Sequence, residues 1–139
     1  MYERVKKLVL KISVTQINGL PQKLSEFSNV RVLKLQYQTY EGAFKDLIQL
    51  MQSLKKLIKL QFETYKQNGP IYSDQIQGLL QFTIDNMKEL RSLILSIHHP
   101  IQLRNIELFQ RAQPIIITVK VFHKTQYIID TRQGIREFF

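Results

Sequence analysis

Apolar residues along this chain first alternate with polar ones, then recur at helical spacing, and the two-part pattern repeats. Leu8, Leu10 and Ile12 are separated by Val9, Lys11 and Ser13, and Leu33, Leu35 and Tyr37 show the same alternation. Side chains of a strand point to opposite faces in turn, so this period predicts strands with Tyr37 and, in a later stretch, Phe62 toward the core. After Gly42 the pattern changes: Phe44, Leu47, Ile48, Met51 and Leu54 fall on one face of a helix over 43–54. A longer helix is expected from Ser73, a suitable N-cap, with Ile76, Leu79, Leu80, Ile84 and Met87 on one face. Short helices are expected within 20–28, carrying Leu20, Leu24 and Phe27, and within 105–112, carrying Ile106, Leu108 and Phe109. Asn68-Gly69-Pro70 marks a turn in a loop at 64–72, and His99-Pro100 ends the fourth strand.

Five stretches share one form. They begin at Val5, Val30, Lys55, Leu90 and Pro114, and their fourth residues are Leu8, Leu33, Ile58, Leu93 and Ile117. In chain order those fourth residues lie 25, 25, 35 and 24 residues apart. A period near 25 predicts strand–helix units stacked into a solenoid, with repeats near 5–29, 30–54, 55–89, 90–113 and 114–124. Residues 125–139 then form a C-terminal cap or truncated repeat, with Tyr127, Ile128 and Ile129 as a possible sixth strand. One repeat cannot bury its own apolar edge, so the whole chain reads as one domain.

With these Leu-x-x-Leu-x-Leu runs and the helical stretch Gly42–Leu47, Leu50 and Leu54, the chain resembles the helix-containing, ribonuclease-inhibitor-like leucine-rich repeat proteins over about residues 5–122. The resemblance implies an α/β solenoid with a parallel sheet on the concave face and helices on the convex face. It implies a protein-binding surface and no catalytic residues. Lys55 and Pro114 stand where the family has Leu, and Ser13, Gln38, Glu63, His98 and Phe122 stand where it places Asn or Cys.

The chain has no cysteine, which removes disulfides and thiolate metal sites. No apolar run reaches the ~18 residues that span a bilayer, and no secretory signal pattern opens the chain, so an intracellular, cytoplasmic setting is expected. Lys and Arg number 20 against 11 Asp and Glu, a formal charge of +9. That balance favours anionic partners: nucleic acid, acidic protein surfaces or anionic lipid.

Stacking the repeats predicts a basic column of Lys6, Arg31, Lys56 and Arg91, closed by Ile115. Two further columns on the exposed strand face hold Val9, Lys34, Lys59, Ile94 and Thr118, and Lys11, Gln36, Gln61, Ser96 and Lys120. Stacked like charges repel across strands, so the column implies either an anionic counterpart or a solubilising edge. His98-His99 and His123 lie near ends of adjacent strands without a neighbouring Asp, Glu or Cys set, so a metal site is not expected. No phosphate loop or nucleophile motif is present, and Asp130 with Arg132 reads as a local ion pair. The expected role is a non-enzymatic protein–protein interaction module, an adaptor or structural subunit that binds an acidic protein surface. No cofactor, membrane or small-molecule substrate is expected. RNA or another polyanion is the second reading, and substrate recognition in a ubiquitin ligase, by family analogy, the third.

Overall fold

The computed structural model describes residues 4–12, 29–37, 43–64, 73–98, 101–103, 106–107 and 113–138. Seven strands form a single sheet in chain order: β1 (Lys7–Ile12), β2 (Val32–Tyr37), β3 (Lys59–Thr64), β4 (Ser92–Ile97), β5 (Ile116–Val121), β6 (Lys124–Asp130) and β7 (Gly134–Glu137). Strands β1 to β5 are parallel, whereas β6 and β7 are antiparallel to their neighbours. Helix α1 (Ala43–Ser53) links β2 to β3, and α2 (Ser73–Asn86) links β3 to β4.

This architecture corrects the expected leucine-rich repeat solenoid. The sheet is mixed, and two helices are seen among the described residues in place of a convex layer with one per unit. The repeat stops at β5 because Phe122 and His123 both take left-handed backbone, with φ of 49° and 66°. Two such residues in succession make the tight hairpin turn that matches strand twist. The chain therefore reverses where a solenoid needs another crossover. The expected cap is instead a meander, whose first strand contains the anticipated 127–129 segment. The helices expected within 20–28 and 105–112 lie outside the described residues, apart from Ile106 and Glu107, which are in no helix. The turn at 68–70 and the strand end at His99-Pro100 also lie outside them.

Helices α1 and α2 form where expected. Leu47, Met51 and Leu54, then Ile76, Leu79, Leu80, Ile84 and Met87, are buried, and all join one core with the strand residues. On the sheet this core takes Leu33 and Leu35, Leu60 and Phe62, Leu93 and Leu95, Ile117 and Val119, Tyr127 and Ile129. The period-two alternation of sequence is thus the period-two alternation of burial.

Register departs from expectation in the third unit. Leu33 pairs with Leu60, not Ile58, so every partner of β3 is displaced by two residues. The cause is the exit from α1. Leu54 N–H donates to Leu50 O, and Leu57 N–H to Leu54 O at 3.3 Å, which winds fully buried Leu57 into the turn after the helix. The same turn follows α2, where Met87 N–H donates to Thr83 O and Leu90 N–H to Met87 O. Leu54-x-x-Leu57-x-x-Leu60 and Met87-x-x-Leu90-x-x-Leu93 are therefore equivalent, with all six side chains essentially excluded from solvent.

Tyr127 anchors the meander. Its hydroxyl donates to Glu137 Oε1 at 3.2 Å and accepts from Leu103 N–H at 3.4 Å, tying β7 and the 101–103 segment to β6. Gln126 adds a bond from Nε2 to Ile101 O at 3.1 Å.

Leu60→Ala is expected to cost about 2–5 kcal/mol in denaturant unfolding, since a fully buried mid-sheet Leu leaves a cavity. A cost near zero would place Leu60 at the surface. Tyr127→Phe is expected to cost about 1 kcal/mol at neutral pH. Burial chiefly raises the Tyr127 pKa from 10.0, helped by the Glu137 carboxylate. The folded state therefore holds this proton more tightly than the unfolded chain. The resulting contribution is intact below pH 10 and declines as pH rises toward the raised value. The wild-type advantage over Tyr127→Phe should narrow above about pH 10, and an advantage that widens there contradicts the burial of this hydroxyl.

Candidate binding face of the sheet

The strand side chains that point away from the core define the second face of the sheet, and neither described helix packs there. Register arranges them in rows. The first row, crossing all seven strands, is Lys7, Val32, Lys59, Ser92, Ile116, Asp130 and Gly134. The second is Val9, Lys34, Gln61, Ile94, Thr118, Ile128 and Arg136. The third is Lys11, Gln36, Glu63, Ser96 and Lys120, and it ends at an irregularity between Val119 and Lys120. With strands about 4.8 Å apart, seven of them make a face roughly 29 Å wide.

These rows revise the predicted columns. Lys34 lies beside Val9 and Gln61, not Lys59. Gln36 lies beside Glu63, not Gln61, and its Nε2 donates to Glu63 Oε2 at 3.4 Å. Within the three rows no two basic residues are direct neighbours, so the like-charge repulsion expected of stacked lysines is absent there. The displacement is two residues, an even number, so Lys59 and Gln61 keep the predicted face while changing partners. Lys11 belongs to β1, but its side chain lies outside the description.

The basic column at the strand starts is shorter than predicted. Lys6, Arg31 and Arg91 align with Ile58 in the third place, because Arg31 O accepts from both Ile58 N–H and Lys59 N–H, at 2.7 and 3.0 Å. Lys56 is outside the column. It lies in the turn before β3 and donates from Nζ to Asn29 Oδ1 at 2.8 Å. Lys6, Arg31, Lys56, Lys59 and Arg91 are exposed, whereas Lys34, Gln36, Gln61 and Lys120 are half-buried.

Sequence reasoning missed two features of this face. Glu63 brings a carboxylate into the third row, two strands from Lys120, with Ser96 between them. Ile116, Ile128, Asp130, Gln133, Gly134 and Arg136 line an open depression of about 190 Å³ over β5 to β7. At its rim Asp130 Oδ1 accepts from Arg132 N–H at 2.8 Å and lies 3.6 Å from Arg132 Nε, the anticipated local pair. The β5–β6 turn carries His123 against His98 just beyond β4, with their Nε2 atoms 3.3 Å apart, in keeping with their expected place near the ends of adjacent strands. The place of Glu63 was hidden by the two-residue displacement and the depression by the unforeseen hairpin, whereas the nearness of the two histidines follows from the predicted pairing of β4 with β5.

Among the described residues no helix is long and apolar enough to cross a membrane. No family model matches this chain, and neither does any curated protein or solved structure.

Proposed function

We propose that the chain is a non-enzymatic protein-binding module that receives an acidic protein surface on the second face of its sheet. The observation that carries this reading is the interleaving of lysines with apolar and amide side chains across the rows. Val9 and Ile116 are 52% and 41% exposed, and half-buried Val32, Ile94 and Ile128 continue the apolar component. A face of this kind supplies an apolar contact with a charged surround, the composition of a protein interface. The exposed bases Lys6, Lys7, Arg31, Lys59 and Arg91 sit at the strand starts, and with the net charge of +9 they steer an acidic partner. A polyanion is a poorer fit, because the bases are dispersed and Glu63 lies among them.

The experiment is an affinity capture from extract of the protein's own cells, treated with nuclease, comparing wild type with a Lys34→Glu/Lys59→Glu variant. The expected result is a stoichiometric protein complex whose affinity falls by about tenfold in the variant, roughly 1.4 kcal/mol, with thermal unfolding nearly unchanged. A complex that binds both forms equally contradicts the proposed face. Capture that disappears under nuclease contradicts the protein partner and favours RNA.

A further inference from the structure

From the geometry at the end of β4 and the β5–β6 turn, we infer that His98 and His123 form a binding site for a first-row divalent metal ion of the zinc class. The two residues are 25 positions apart and come from different strand ends. Their Nε2 atoms approach to 3.3 Å, with ring centroids 5.0 Å apart and planes at 79°. Two imidazole nitrogens bound to one tetrahedral ion at about 2.0–2.1 Å stand about 3.3–3.4 Å from each other. The pair thus already has the nitrogen spacing of two ligands on one ion. Imidazole suits zinc, copper and nickel ions and is a poor ligand for magnesium or calcium.

Two further observations bear on the site. His98 Nδ1 is buried and has no hydrogen-bond partner among the described residues, so no described contact fixes the ring's tautomer. Without a metal the two Nε2 atoms share a hydrogen bond in which either ring can donate; on a metal ion both would present lone pairs, with the protons on Nδ1. The second is the turn itself. Hairpin turns with two positive φ angles favour Asn and Gly, and here they are Phe122 and His123. Left-handed backbone at such residues is strained. This turn sets His123 against His98, and Phe122 meets the His98 ring edge-on at a centroid distance of 6.0 Å. Among the described residues no cluster of three or more His, Cys, Asp or Glu is present, so water completes the coordination.

The test uses the full chain and zinc chloride, followed by calorimetry and by the imidazole proton resonances of each histidine. His98→Gln removes one ligand. His123→Asn removes the other while keeping a residue that tolerates a φ of 66°. His99→Gln serves as the neighbouring control. The expected result is one zinc per chain, resonance shifts at His98 and His123, and affinity lowered about tenfold or more by either ligand variant but kept by the control. Circular dichroism establishes that each variant is folded. Zinc binding that survives both ligand substitutions, loss confined to His99→Gln, or no stoichiometric binding by the wild type overturns the site.

Discussion

The backbone carbonyl at the start of a strand, shared between two N–H groups of the next strand, is the contact on which the sheet depends. Lys6 O accepts from Arg31 and Val32, Arg31 O from Ile58 and Lys59, and Ile58 O from Arg91 and Ser92, at 2.7–3.2 Å. Parallel strands have no tight turn to fix their register, so it must be fixed where each strand begins. The buried turns at Leu54–Leu57 and Met87–Leu90 deliver the chain to that point, and the shared carbonyl locks it. Leu33, Leu60, Leu93 and Ile117 then stand in one buried row.

That lock also determines what the other face offers. Had β3 paired two residues earlier, Lys34 and Lys59 would be neighbours, and the face would present a line of like charges. In the actual register the bases alternate with Val9, Val32, Gln36, Gln61 and Ser92, and Glu63 enters the third row. The pattern of charge on this face is therefore a consequence of core packing beneath it. The same holds for the histidine pair, which exists because β5 is held beside β4 and then turns sharply.

Much of the fold was legible as periodicity. Alternation located the strand segments and the core side of Leu33, Leu35, Leu60 and Phe62, and the 3–4 spacing located α1 and α2. Register was not legible, because Leu57, Ile58 and Leu60 are all apolar and one residue of each helix exit resembles the first of a strand. The alternatives differ by two residues, which preserves the face and hides the error. The end of the repeat was also hidden. Phe122-His123 lacks the Gly or Asn that announces a hairpin, and β7 carries Ile135 as its one large apolar residue, too few to show a period. Charge counting found the basic surface, but only the register showed that its bases are spaced apart.

The register is most directly measured with cysteine pairs, since the chain has none of its own. Adjacent parallel strands stand about 4.8 Å apart, within the Cα range of a disulfide, whereas a two-residue offset adds about 6.6 Å along the strand. Lys34→Cys with Gln61→Cys should oxidise readily to an intramolecular disulfide, and Lys34→Cys with Lys59→Cys should stay reduced under the same conditions. The reverse result would place β3 two residues away, stack the lysines, and contradict both the core row and the binding face proposed above it.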